Sequence, residues 1–324
     1  MPKVFVAELV EGETVTSFFL AKQLQVRQRK RGEPFLTMTL ADRTGEVQAV
    51  LWDGAEEAAR DLEEGAIVKV QGVLGSYQGA RQLTLNRLRK ATPDEVSLEE
   101  YLPRSDRDPQ QLLGELKLAV DQMQNVHLQR LLQALLADPL LVQAWTTAPA
   151  AKGIHHAVLG GLLEHTMSVV GLCRLLADYY PALDRDLLLA AAMLHDLGKV
   201  RELTWERVFD YSDEGRLLGH ITLGTLLIEE RIRALPDFPP ALAQRLLHCI
   251  VSHHGELEWG SPKRPKTLEA LVLHYAEDMD GKINNFLSYS RTAPDPRRPG
   301  WTQFHRTLDR YLFFGREAAG PGPE

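Results

Sequence analysis

Residues 187–199 read Leu187-Leu188-Leu189-Ala190-Ala191-Ala192-Met193-Leu194-His195-Asp196-Leu197-Gly198-Lys199. Inside such an apolar run a charged Asp is costly to bury unless it is paired or coordinates a metal. Four other short segments carry the same residue types: Glu164-His165-Thr166, Gly219-His220, Ser252-His253-His254-Gly255 and Glu277-Asp278. Imidazole and carboxylate groups suit divalent Mn, Fe, Co, Ni and Zn. One carboxylate can also bridge two ions that clamp both sides of a phosphoryl displacement. The five segments together make metal-dependent phosphate-ester hydrolysis the leading expectation.

Outward from this core the chain divides by pattern. Residues 1–92 are β-rich. Val15 to Leu20 with Leu24 to Arg27 forms one long strand pattern, Phe35 to Leu40 alternates with period two, and Glu46 to Trp52 resumes after the turn Asp42-Arg43-Thr44-Gly45. A short helix fits 55–62, and two strands, Ile67 to Val73 and Gln82 to Leu88, flank Gly75-Ser76-Tyr77-Gln78-Gly79. Three strands, a helix and two strands is the order of an OB fold. Residues 93–110, with Pro93, Pro103 and Pro109, read as a linker. From 111 to 316 the pattern reads as helix, with Leu112, Leu116, Val120, Met123, Val126, Leu131, Leu132 and Leu135 at helical spacing, and 317–324 reads as a disordered tail. The fold class expected is multidomain: a small β-barrel followed by an all-α domain.

The order His, His-Asp, His, His-His and a late Asp resembles the HD superfamily of helical metal-dependent phosphohydrolases. The flanking words His155-His156, Gly160 to Thr166, Asp213 to His220 and Ser252 to Glu258 narrow the resemblance to YhaM-type 3′→5′ exoribonucleases. That family also carries an N-terminal OB-type module, so the resemblance covers nearly the whole chain. It implies that His165, His195, Asp196 and Asp278 hold a first divalent ion, while Asp196, His220, His253 and His254 hold a second, with Asp196 as bridge. It further implies Mn²⁺ as the preferred metal, with Fe, Co, Ni or Zn as alternatives, and 5′-mononucleotides as products. Gly255 is a suitable residue just past a helix ending at His253-His254. His274, four residues before Asp278, is a second-layer partner or a replacement ligand.

Lys199, three residues after Asp196, is placed to face a phosphate oxygen. Arg216, His155, His156, Lys263 and Arg264 are further substrate candidates. In the barrel, Tyr77 is the preferred stacking residue, because Phe35 and Trp52 read more readily as core. Lys22, Arg27, Arg29, Lys30, Arg31, Arg81, Arg87 and Arg89 are available for phosphates.

The net charge of −7 argues mildly against a general nucleic-acid coat. The acidity, however, lies outside residues 1–92, which hold 13 Lys or Arg against 12 Asp or Glu. Two cysteines, Cys173 and Cys249, neither in a CxxC, read as buried free thiols of a reducing compartment. No secretory or membrane-spanning pattern is present, so a cytoplasmic location is expected. Single-stranded RNA or DNA is the expected partner, with self-association open. Two alternatives stand beside the exoribonuclease reading: an HD nucleotide phosphohydrolase, against which the barrel argues, and a single-stranded DNA-binding replication factor, against which the complete ligand set argues.

Overall fold

The computed structural model describes residues 3–29, 32–77, 79–96, 100–102, 104–105, 107–152, 158–205, 209–292, 295 and 298–315. The chain divides into two compact units, residues 1–104 with 205–208 and residues 105–204 with 209–324.

The first unit is a closed barrel. Its strands are β1 (Thr14–Gln28), β2 (Pro34–Asp42), β3 (Gly45–Leu51), β4 (Ile67–Tyr77) and β5 (Ala80–Lys90), with α1 (Ala55–Asp61) between β3 and β4. Neighbours run in the order β1-β2-β3-β5-β4, with β4 closing back on β1 and a parallel pairing of β3 with β5. This is the OB topology. Period-two alternation in β4 sends Val68, Val70 and Leu74 inward, where they meet Phe19, Leu36, Met38, Leu40, Leu83 and Leu85. Within the segment that reads as a linker, Tyr101 and Leu102 are buried, and Lys3 Nζ lies 3.4 Å from the centre of the Tyr101 ring.

The second unit is helical: α2 (Pro109–Asp121), α3 (Val126–Leu136), α4 (Pro139–Thr147), α5 (Gly161–Tyr179), α6 (Arg185–Leu194), α7 (Lys199–Glu202), α8 (Asp213–Arg233), α9 (Pro240–Ser252) and α10 (Leu268–Thr292). Asp108, Asn125, Asp138 and Asp184 cap α2, α3, α4 and α6 through their side chains. Every residue of α6 from Leu187 to Leu194 is buried, as expected of a helix apolar on all sides. It packs against α5, α9 and α10, which carry His165, His253 and Glu277. Leu112, Leu116, Leu128, Leu131, Leu132 and Leu135 are consumed by the interior of this unit. Cys173 and Cys249 are buried and free, their thiols pushed up to about 12 by burial.

The helical reading of 111–316 misses two small ladders: β6 (Leu203–Thr204) with β7 (Asp210–Tyr211), and the hairpin of β8 (Trp301–His305) and β9 (Arg310–Phe313), which packs on α10. Among the described residues no helix is long and apolar enough to cross a membrane.

One close approach in the barrel is decided by a missing side chain. A Cβ on Gly72 would stand 2.4 Å from the carbonyl oxygen of Thr84, at the irregularity between β4 and β5. Gly72→Ala is expected to lower barrel stability by about 1–3 kcal/mol, the usual cost of overpacking. Gly75→Ala, where a Cβ meets nothing within 4 Å, serves as the control. Urea midpoints of the two variants check this, and equal midpoints would contradict it.

Candidate metal centre

Five imidazoles and one carboxylate gather where α5, α6, α8 and α9 converge. His165 lies in the second turn of α5, His195 caps α6 with Asp196 following, His220 follows a break in α8, and His253 caps α9. His165, His195, Asp196 and His253 are essentially inaccessible, and His220 is buried.

The donor atoms form two groups around Asp196. On one side His195 Nε2 and His165 Nε2 are 3.3 Å apart, and each is 3.5 Å from Asp196 Oδ2. On the other, His220 Nε2 and His253 Nε2 lie 3.3 and 3.7 Å from Asp196 Oδ1. His220, His253 and His254 offer donor atoms that all lie within 4.8 Å of one another. Ligand bonds of about 2.0–2.2 Å at roughly tetrahedral or octahedral angles bring donors to about 3–3.5 Å from each other, which is the spacing of the first group.

Hydrogen bonding fixes what these rings present. Nδ1–H of His165 donates to Asp280 Oδ2 at 2.8 Å, that of His195 to the Ala192 carbonyl at 2.9 Å, and that of His220 to Glu202 Oε1 at 3.1 Å. Nδ1–H of His253 donates to the Ile250 carbonyl at 2.7 Å and that of His254 to the Trp259 carbonyl at 2.9 Å. With Nδ1–H committed to these acceptors, each ring turns Nε2 to the centre. Nε2 of His165 and Nε2 of His195 thus face each other across 3.3 Å. Among the described residues, Asp196 Oδ1, His220 Nε2 and His253 Nε2 are buried with no hydrogen-bond partner. These orphaned atoms and the imidazole–carboxylate donor set fit divalent metal ions.

The electrostatics divide the rings: against the effect of burial, the charge of Asp196 beside it raises the pKa of His195. Burial holds His165 below its ordinary pKa and His253 well below it, and it lowers His254 to about 4, with His220 adding to the shift. Burial opposes ionisation of Asp196, yet Lys199 and His195 beside it hold its carboxyl well below the usual range.

Lys199 reaches Asp196 Oδ2 at 2.6 Å, so its ammonium stands at the carboxylate between the two histidine groups. His254 is partly exposed, and α9 ends just before the His-His pair with Gly255 at φ +79°. His274 supports that turn: its Nδ1–H donates to the His253 carbonyl at 2.9 Å, and a Cβ on Gly255 would strike its ring at 2.3 Å.

Asp278 is not brought to the cluster. It pairs with Lys282 at 2.6 Å on the outer side of α10. Neighbours three apart share a helix face, and the face turned inward is that of His274, Glu277 and Asp280. Glu277 stands close enough to Asp196 that burial, with the Asp196 charge adding to it, raises its carboxyl to about 7. Asp280 backs His165 and also accepts from Ser168 Oγ and Asn284 Nδ2. The spacing of α10 could have distinguished these three acids. Glu202 and its bonds to His220 carry no sequence signal, because they depend on how α7 meets α8.

The remaining candidates lie elsewhere. Arg216 pairs with Asp210 at 2.9 Å, an oxygen that Lys152 also reaches at 2.7 Å, while Arg264 pairs with Glu256 at 2.7 Å and Lys263 is exposed. His155, His156, Lys30 and Arg31 fall outside the described residues. In the barrel, Tyr77 is exposed at the β4–β5 hairpin. Phe35 and Trp52 are not core: their rings pair at 4.9 Å on the surface, with the Arg29 guanidinium 4.8 Å from the Trp52 ring. Lys22, Arg81 and Arg89 are engaged with Glu46, the Leu9 carbonyl and Glu95.

Residues 162–281, which contain all the donor atoms, match the HD domain family, and residues 23–91 match the OB-fold nucleic acid binding domain family. The 3′-5′ exoribonuclease YhaM of Bacillus velezensis is 36% identical over 275 residues, 84% of this chain and 86% of that protein. YhaM of Bacillus subtilis strain 168 is 36% identical over 276 residues, with the same shares covered. The chain belongs to the YhaM family. Among solved structures, the second OB-fold domain of replication protein A from Methanococcus maripaludis aligns to 28% of this chain and 94% of its own, at 18% identity and a TM-score of 0.23. At that score the likeness adds nothing to the family match. For this YhaM-family chain the HD match implies dependence on divalent metal.

Helix geometry makes a direct prediction. Glu277→Ala is expected to weaken Mn²⁺ binding by about tenfold or more, while Asp278→Ala leaves it within about twofold. Calorimetric titration of the metal-free protein checks this, and the opposite ranking would restore Asp278 as the ligand.

Proposed function

We propose that this chain is a metal-dependent 3′→5′ exoribonuclease that removes nucleoside 5′-monophosphates from single-stranded RNA. One observation carries the reading: in a chain 36% identical to YhaM exoribonucleases, both oxygens of a buried carboxylate face histidine donors. His165, His195 and Asp196 would hold a first ion, with Glu277 taking the place read for Asp278. Asp196, His220, His253 and His254 would hold a second, and Mn²⁺ fits the mixed imidazole and carboxylate set. When bound, such ions polarise a phosphodiester and lower the pKa of water towards neutrality.

The chain's own residues then divide the work. Asp196 places the two histidine groups back to back. Lys199, whose ammonium stands at Asp196 Oδ2, is positioned to turn to a nonbridging phosphate oxygen and stabilise charge developing there. In the module of residues 1–92, Trp52 and Phe35 offer a stacking platform with Arg29 beside it for a phosphate. Tyr77, at the other hairpin, offers a second. Residues 93–110 would join this module to the hydrolytic domain of 111–316, where Arg216, Lys263 and Arg264 lie on exposed surface for the incoming strand. The buried free thiols support a reducing, cytoplasmic setting.

Incubation with 5′-labelled and 3′-labelled single-stranded RNA and DNA in Mn²⁺ tests the activity. Release of 5′-mononucleotides from the RNA 3′ end, abolished by EDTA and by Asp196→Asn, is the expected result. Hydrolysis of small nucleotides without RNA cleavage would favour a nucleotide phosphohydrolase, and strand binding without cleavage a DNA-binding factor. Trp52→Ala is expected to weaken RNA binding by about 1–3 kcal/mol, the usual worth of one stacked base, with hydrolysis of a small phosphodiester unchanged. Equal affinity for wild type and variant in a filter-binding assay would remove Trp52 from the interface.

A further inference from the structure

On each side of Asp196 one histidine is backed by a carboxylate, and the two carboxylates differ. His165 is backed by Asp280, a residue of α10, whereas His220 is backed by Glu202, the last residue of α7. Glu202 does more than orient a ring. The chain breaks from helical geometry at Gly219, with φ 71° and ψ 157°, which withdraws the His220 backbone N–H from the helix ladder of α8. Glu202 Oε1 accepts that N–H at 3.0 Å and the His220 Nδ1–H at 3.1 Å. A single carboxylate oxygen therefore caps the second half of α8 and fixes the tautomer and direction of the ligand that opens it.

Close backbone packing holds Glu202 in that place. A Cβ on Gly215 would lie 2.1 Å from the Glu202 carbonyl oxygen, and one on Gly198 would lie 2.0 Å from that of His220. Ser212 N–H donates to the same Glu202 carbonyl at 2.9 Å. Two glycines thus let α7 and α8 approach until the Glu202 side chain reaches the break. Its side chain is buried and already committed to His220, which leaves it a supporting rather than a ligating part.

From this we propose that Glu202 is a positioning residue for the His220, His253 and His254 group alone, so that the ion held there can be lost while the ion at His165 and His195 stays. The inference rests on the two-ion reading above. It assigns separate control of the ions to Glu202 and Asp280. Loss of Glu202 frees the His220 ring to rotate and leaves its backbone N–H without an acceptor, but leaves the Asp280–His165 bond intact.

The test is Mn²⁺ titration of the full-length metal-free protein by calorimetry, with metal counted after gel filtration, for wild type, Glu202→Ala, Glu202→Gln and Asp280→Asn. Wild type is expected to bind two ions. Glu202→Ala should bind one as wild type does and the other about 10–100-fold more weakly, the range for losing a supporting hydrogen bond. Glu202→Gln keeps an acceptor oxygen without the charge and should fall between them at that same ion. Asp280→Asn should weaken the other ion. If Glu202→Ala fails to fold, Glu202→Gln decides, with selective weakening supporting the proposal and wild-type binding overturning it. Equal weakening of both ions by a folded Glu202 variant would also overturn it, since a general loosening would explain that. A wild type that binds a single ion would instead refute the two-ion reading itself, and the proposal with it.

Discussion

A charged carboxylate with nowhere to send one of its oxygens governs this molecule. Asp196 is buried, and Lys199 satisfies only Oδ2. Oδ1 faces the lone pairs of His220 and His253, and none of these three atoms has a hydrogen-bond partner among the described residues. Each unmade buried bond costs roughly 1–3 kcal/mol, so three cost a large part of the roughly 5–15 kcal/mol by which a domain is stable. On the two-ion reading proposed above, divalent ions on both sides of Asp196 would convert that cost into binding energy. A site that is expensive without metal and satisfied with it also makes metal affinity part of folding stability.

The surrounding helices are arranged to keep that demand focused. Each of the five imidazoles has its Nδ1–H taken by an acceptor, so no ring can turn its lone pair away without breaking a bond. The acceptors come from backbone for His195, His253 and His254, at the ends of α6 and α9 for the first two, and from carboxylates for His165 and His220. Helix ends leave carbonyls unsatisfied by the ladder, which explains why His195 and His253 sit at the caps of α6 and α9. His165 and His220 stand in or at the start of helical segments, where no spare carbonyl is available, and an acid must be brought in from another element.

Much of this was legible in the chain. Alternation and turn residues placed the barrel strands, and the apolar run ending in His195-Asp196 placed the centre. Gly255 correctly marked the end that lets His253 and His254 both face inward. Which acid of α10 faces the cluster is not legible from the sequence words alone, because Glu277 and Asp278 are adjacent and only the phase of α10, set by His274 and Asp280, turns Glu277 towards Asp196. Phe35 and Trp52 read as core because aromatics in alternating strands usually are, whereas these two lie where β2 begins and just beyond β3, outside the barrel interior. Glu202 was invisible because its role arises from a contact between α7 and α8 that two glycines permit. The β8–β9 hairpin was hidden in a stretch whose polar and aromatic residues carry no strict period.

The claim that Asp196 bridges two ions is tested most directly by anomalous diffraction at the Mn edge from crystals grown with Mn²⁺. The account predicts two peaks flanking Asp196, one beside His165 and His195 and the other beside His220, His253 and His254. A single peak, or peaks that leave either Asp196 oxygen without a metal neighbour, would contradict it.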